Sequence, residues 1–517
     1  MNSYADSRYT FAPSSTDKGM LMAVLRALVV FLALLIYAVL SAGLSTNSHW
    51  ITNSQGLVAY TLLLLGYLCV EARNLWTRKP RLFWMNPVIL ASIFTFVIPF
   101  CITNILFFMP EDVVAPVGMQ PIVTRWMNQL MLLVVLGACA MWIGYSSGVG
   151  RRMGQRLQRS HALRRWMTTS ARINRPALYV FLAISLIARL AEIKLGIYGY
   201  SSTYNHEIAA AAYTQYFAIA ESLGELALVG VALQCFSSPH PALPDRLLLW
   251  LVLGYEVAFG FLSGMKSQVG MPFIIVGFVY YSQRNRFPRW LVPTVLVSVI
   301  AAYAVIQPFR AVRNQDAEFN GGSLGSIVET MTNAKSIQSD DVEEDASTWI
   351  SALSRLNLTY IGSLGIEYAA ANKTLPEGSP DFLGNIIFSP AEALIPRFLW
   401  SSKSLQNIGG WYTHQVMGLE SIASSTGMSA FTYLNFAGGP LAVVLGFLVV
   451  GIFQRGLFDG LRHFGGGGLI VLFGLLNTLQ NIDSAYYTFF IAIIRFFPLL
   501  VVAQYLLLQR SRRPCAE

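Results

Sequence analysis

The chain has 517 residues, 54% of them hydrophobic and only 12% charged, and its mean hydropathy is +0.51. Soluble globular proteins carry about 25% charged residues, so this composition excludes an ordinary water-soluble domain and implies an integral membrane protein. The net charge of +9 is concentrated in basic stretches between apolar runs, which is the pattern of topogenic loops and not of a nucleic-acid-binding surface.

Apolar runs of about 20 residues, long enough to cross a hydrocarbon core as a helix, recur from Met20 to Leu507. Twelve spans are predicted, at residues 20–43, 56–72, 86–108, 127–149, 177–195, 215–235, 247–263, 269–283, 291–307, 430–453, 467–482 and 486–507. The first run is too long for a signal-peptide core and is read as a retained signal anchor. The fold class is therefore an all-α polytopic membrane protein in three regions. Residues 1–307 hold helices one to nine, 308–429 form one long outer loop, and 430–517 hold helices ten to twelve and a tail.

Basic residues mark the inner side. The stretch RRMGQRLQRSHALRRWMTTSARINR (151–175) carries eight arginines and no acid, and Arg73, Arg78, Lys79 and Arg81 form a second basic loop. Arg284, Arg286, Arg289, Arg455, Arg462, Arg510, Arg512 and Arg513 fall on the same side when twelve helices alternate, which puts both termini inside. Cys69, Cys101, Cys139 and Cys235 lie in or beside predicted spans and Cys515 in the tail, with no metal-site spacing, so neither disulfides nor a metal are expected.

Several charges lie within spans, where each needs a partner or marks a pathway. Arg189, Glu192 and Lys194 cluster near the outer end of span five, Glu221 and Glu225 share one face of span six, and Glu256 and Arg495 lie in spans seven and twelve. A structural pair between Arg189 and a span-six glutamate is one reading; an ion path is the other. Secondary transporters show repeated halves, whereas nine spans, a long loop and three spans show no repeat.

The outer loop, 308–429, contains seven basic and thirteen acidic residues. SDDVEEDAS (339–347) is a solvated acidic run without the spacing of a calcium loop. Trp349, Leu353, Leu356, Tyr360, Leu364 and Tyr368 then recur at helical steps and predict an amphipathic helix lying on the membrane or on other helices. From Pro376 to Gly410 the composition predicts a packed lid. Lys266, Arg310 and Arg313 lie near the outer ends of spans, and Arg397 and Lys403 lie in the lid. Five cations on the face where basic residues are not in excess suit a phosphate-rich ligand.

At these residues the sequence resembles the Wzy-type oligosaccharide repeat unit polymerases of bacterial O-antigen and capsule assembly. SGMKSQVGMPFIIVGFVYY, QPFRAVRN, IPRFLWSSKS and TYLNFAGGPLAVVLGF carry the resemblance over roughly residues 260–450. Lys266, Ser404 and Ala437 depart from the residues commoner in that family. The resemblance implies a metal-independent, cofactor-free membrane glycosyltransferase that joins undecaprenyl-diphosphate-linked units at the periplasmic face of the inner membrane. A chain-length regulator and a flippase are partners of such a system.

Arg397, Arg310, Arg313, Lys403 and Lys266 are then expected to hold the diphosphate, with Arg397 central. Glu367, Glu392, His414 and Glu420 are the candidates for a base, Glu392 and His414 flanking the Pro-Arg motif most closely. Trp400, Trp411 and Tyr412 are candidate sugar-stacking platforms, against an interfacial role for the same aromatics. An O-antigen ligase, which shares the donor, and a polysaccharide transporter are the rival readings.

Overall fold

Hydrocarbon offers the backbone no hydrogen-bond partner, so an apolar run closes its bonds within itself as a helix. The computed structural model describes residues 16–43, 49–78, 83–115, 122–199, 213–315, 323–337, 348–372, 374–392, 394–395, 408–419, 426–482 and 486–509. Among them there is no strand, only an isolated bridge between Ile173 and Leu508.

The helices before the long loop are α1 (Thr16–Gly43), α2 (His49–Arg78), α3 (Pro87–Phe108), α4 (Arg125–Ser146), α5 (Gly148–Arg159), α6 (His161–Trp166), α7 (Arg175–Lys194), α8 (Thr214–Ser237), α9 (Leu243–Leu262), α10 (Lys266–Arg284) and α11 (Leu291–Gln315). The loop region holds α12 (Leu324–Ile337), α13 (Thr348–Leu356), α14 (Leu358–Ala371), α15 (Phe382–Glu392) and α16 (Ile408–Trp411, continued by a wider turn through Val416). The chain closes with α17 (Ala430–Leu461), α18 (Gly465–Gln480) and α19 (Tyr487–Leu507).

Each predicted span falls on helical chain. By length and apolarity, seven stretches among the described residues can cross a membrane: Asn53–Arg78, Pro87–Phe108, Arg125–Ser146, Arg175–Lys194, Tyr216–Ser237, Ala430–Gln480 and Tyr487–Leu507. The stretch Ala430–Gln480 contains both α17 and α18.

The main core lies where α17 packs along α4 and α5. Glycines allow the backbones to touch: a Cβ on Gly451 would lie 2.0 Å from the carbonyl oxygen of Met141, and one on Gly144 would lie 2.1 Å from that of Leu448. Close approach through small residues is the usual basis of helix association where no hydrophobic drive exists between helices. A second group, α7 to α12, packs through α8 against α18 and α19.

The predicted span at 430–453 is not one continuous helix. On a continuous helix Phe431 and Phe447 would stand about 24 Å apart, yet their rings stack with centroids 4.5 Å apart. Leu434 likewise lies against Gly446. The chain reverses at Gly438 and Gly439, the latter at φ 67° and ψ −159°, a conformation open to glycine, and Pro440 starts the second segment. Residues 430–437 therefore fold back along 440–461. Phe431 reaches Phe96, Phe100 and Gly137, the last near the middle of α4. Residues 430–437 thus reach the level of the middle of α4.

Candidate functional site

The loop expected to lie outside the helices is in part built into them. After its first turn α3 widens into π and 3-10 turns over Ser92–Phe108, with Pro99 inside, which frees backbone carbonyls in a buried place. Polar side chains answer them. Thr103 Oγ1 donates to the carbonyl of Pro99 (2.8 Å), Asn104 Nδ2 to that of Phe100 (2.6 Å), and Asn357 Nδ2 to that of Thr103 (3.0 Å). Asn357 Oδ1 also caps α14 by accepting from Tyr360 N (2.9 Å), and Thr359 Oγ1 donates to Asn104 Oδ1 (2.7 Å). These bonds pin the start of α14 to α3.

The sequence stripe of Trp349, Leu353, Leu356, Tyr360, Leu364 and Tyr368 does not form one helix, because Asn357 ends α13 and caps α14. The stripe divides between two surroundings: Leu353 and Tyr360 pack half-buried against the core and Tyr368 meets Trp411 and Phe436. Trp349 and Leu356 are exposed, whereas Thr359, Gly362, Ser363, Gly365 and Ile366 form the buried face. Gly362 and Gly365 lie against Leu130, Thr432 and Tyr412, and Thr432 Oγ1 donates to the carbonyl of Gly362 (3.2 Å). Small and hydroxyl-bearing residues inward with apolar ones outward is the arrangement of helices in lipid.

Around this docked helix an aromatic group ties the loop segments together. Phe382 stacks on Phe436 at 4.9 Å, Trp411 meets Tyr368, Phe382 and Phe436 edge to face, and Tyr433 donates to the carbonyl of Phe382 (3.1 Å). Tyr412 is fully buried and donates its hydroxyl to the carbonyl of Ile361. Burial covers its ring faces, so Tyr412, one of the candidate sugar platforms, is instead a strut between α16 and α14. Trp411 is half-buried.

His414 shares the α16 segment with Trp411 and Tyr412, and its Nδ1–H donates to the carbonyl of Leu419 (2.7 Å). That bond orients the ring and leaves Nε2 as the acceptor. Glu392 is half-buried at the end of α15, the helix whose Phe382 meets Trp411, and Glu367 is exposed on α14. Arg397, Trp400, Lys403 and Glu420 lie outside the described residues. Lys266 begins α10, and Arg310 and Arg313 lie in the last turns of α11.

A second polar centre lies between α7, α8 and α9. Arg189 Nη2 donates to Glu256 Oε2 at 2.7 Å, and its Nε lies 3.9 Å from Glu221 Oε1. The guanidinium lies 4.9 Å from the ring centre of Tyr255 and 5.1 Å from that of Phe259. Glu256 needs Gly224 opposite it, since a Cβ there would lie 2.3 Å from Oε1. Glu192 is buried beside them. Arg189 thus pairs with the span-six glutamate Glu221, as the sequence suggested, and more closely with Glu256 on α9, which the sequence did not single out as its partner. Phe309 of α11 packs with Ile193 and Tyr198, which brings the backbone carrying Arg310 close to this end of the bundle.

Comparison with protein-family models, curated proteins and solved structures found no match for the chain.

Two outcomes follow from these centres. Arg189→Met or Glu256→Met alone leaves a buried charge without its partner and should cost roughly 3–5 kcal/mol, whereas the double variant should cost much less; thermal unfolding of the three proteins in detergent measures the difference. Gly365→Leu should expel α14, because a Cβ there already lies 2.4 Å from Thr432 Cγ2. Ser363→Cys, buried in the docked helix, should react with a membrane-impermeant maleimide only when combined with Gly365→Leu.

Proposed function

We propose that this protein is a membrane glycosyltransferase that polymerises undecaprenyl-diphosphate-linked oligosaccharide repeat units, acting at the periplasmic face of a bacterial inner membrane through twelve spans with both termini cytoplasmic. The observation that carries the reading is the docking of the 357–371, 408–416 and 426–437 segments into the bundle beside α3, α4 and α17. Non-helical backbone at membrane depth is tolerated where it is buried in protein or lines a cavity. A donor carried on a lipid reaches its enzyme through the bilayer, so a site assembled from docked loop segments suits it.

In the proposed reaction a hydroxyl of one lipid-linked unit attacks the anomeric carbon of the growing chain. The new glycosidic bond forms as the bond from that carbon to the diphosphate oxygen breaks, and the hydroxyl proton passes to a base. Arg397, with Lys403, Arg310, Arg313 and Lys266, is assigned to the negative charge that develops on the departing diphosphate; fixed cations in a dry site each contribute about a hundredfold or more. His414 Nε2, Glu392 and Glu420 are the candidates for the base. The orientation of His414 by Leu419 also favours a second reading, a ligase that delivers the same donor to lipid A core.

The topology is tested by alkaline phosphatase fusions, expected to be active near Ser379 and inactive near His161; the reverse pattern would remove the outer-face mechanism. Arg397→Ala should collapse the long polymer ladder to a single repeat unit still attached to lipid A core, and Arg397→Lys should restore it only in part, because an ammonium lacks the bidentate fork. Normal chain length in stably expressed Arg397→Ala protein would refute the diphosphate role. Loss of the single-unit rung, with lipid-linked donor accumulating, would make the protein the ligase.

A further inference from the structure

The arginine-rich end of the bundle has a geometry that the proposed reaction does not use. After α4 the chain kinks at Ser147, whose extended backbone and Oγ, accepting from Gly150 N, restart the helix as α5. One side of α5 is committed to α17. Gly150 lies against the carbonyl oxygen of Ile452, Gly154 against that of Gly456, and Gly460 against Leu157. Gln158 Nε2 donates to the carbonyl of Asp459 (2.8 Å), and the Asp459 carboxylate is held by Arg455 and Arg462. The acid nearest α5 is therefore already neutralised.

The other side of α5 is open. Val149, Arg152, Met153, Arg156, Leu157 and Ser160 line a cavity of about 400 Å³. Val149 is 56% exposed, and Arg152 and Arg156 are exposed with no hydrogen-bond or ion-pair partner among the described residues. Guanidinium groups four residues apart stand side by side on one helix face, with Cβ atoms about 6 Å apart, and form a two-armed clamp for phosphate oxygens.

A second cavity involves α4, the helix that precedes the kink. Between α1, α4 and α17 lies a groove of about 240 Å³ whose lining, including Ala27, Phe31, Leu136, Ala140, Ile143 and Leu448, is entirely apolar. Ile143, which lines the groove, and Val149, which lines the basic pocket, are six residues apart across the kink at Ser147. A basic, partly apolar pocket next to an apolar groove matches the two chemistries of one amphiphile.

We propose that this end of the protein binds an anionic phospholipid, with its phosphate between Arg152 and Arg156 and an acyl chain in the groove between α1, α4 and α17. The inference rests on charge and shape at this end and is independent of the glycosyltransferase reading. Charge selects the headgroup, because a zwitterionic lipid offers the clamp a phosphate already paired with its own cation. The groove selects a lipid over a soluble phosphate.

The test uses the full-length protein, purified in neutral detergent and examined by native mass spectrometry with phosphatidylglycerol or with phosphatidylcholine of the same acyl chains. Phosphatidylglycerol should be retained over phosphatidylcholine by roughly tenfold or more, as two arginines near a headgroup would give. Arg152→Gln/Arg156→Gln should abolish that preference, and Ala140→Phe, which fills the groove without changing charge, should weaken retention of phosphatidylglycerol. Equal retention of the two lipids by the unaltered protein would overturn the proposal without recourse to any variant. So would a persistent preference in the double glutamine variant, or displacement of the lipid by millimolar inorganic phosphate.

Discussion

The structure depends on one constraint: within a bilayer no water is at hand to pair a backbone amide or carbonyl, so each departure from α-helix must find its partner inside the protein. The chain departs in several places, and polar side chains meet it there. Gln454 donates to the carbonyl of Leu479, and Thr95 donates to that of Gln480 while accepting from Ile482 N, so the buried end of α18 is closed from two other helices. Tyr486 donates to the carbonyl of Gly446 above the point where Leu434 returns. The widened end of α3 is answered by Thr103, Asn104 and Asn357. The docked loop is a consequence of the same rule: α14 supplies donors that α3 lacks.

Close packing is the second condition. Glycines on α17 oppose α4 at Met141 and α5 at Met153 and Leu157, while Gly144, Gly150 and Gly154 face it from the other side. These contacts leave no room for a side chain, and they hold α17 at one depth relative to α4. The depth matters because the Phe431 ring is set between Phe96, Phe100 and Phe447, and a slide of α17 would carry the inserted segment with it. Fold and site are joined at this seam.

Much of the helix framework was legible in the sequence, since a run of about 20 apolar residues has few alternatives. The fold-back at Gly438 was not, because TYLNFAGGPLAVVLGF reads as one apolar opening of a helix. Its Gly-Gly-Pro trio is the signal that could have revealed it. The stripe of Trp, Leu and Tyr predicted one amphipathic helix lying on the membrane or on other helices; Asn357 divides it in two, and on α14 the small residues Gly362, Ser363 and Gly365 turn inward, because lipid removes the drive that buries large apolar side chains in water. Spacing placed Glu221 and Glu225 on one face yet could not choose between glutamates on different helices, and Arg189 takes Glu256. The composition of the loop singled out His414 and Trp411 as candidates, whereas no motif or periodicity pointed to Asn104 and Thr359, which dock α14 on α3.

The bond from Thr359 to Asn104 joins residues 255 apart in the chain, and that from Thr95 to Gln480 joins residues 385 apart. At ribosomal rates of about 5–20 residues per second, the early helices are made on the order of tens of seconds before their closing partners exist. During that interval α3 enters the membrane with polar groups that its own neighbours cannot fully answer. Asn104 Nδ2 has Phe100 and Thr61 within the chain already made, whereas its Oδ1 waits for Thr359. Biosynthesis of this protein therefore ends with a closing step at α3, and the nascent chain up to that point is a different physical object from the finished one.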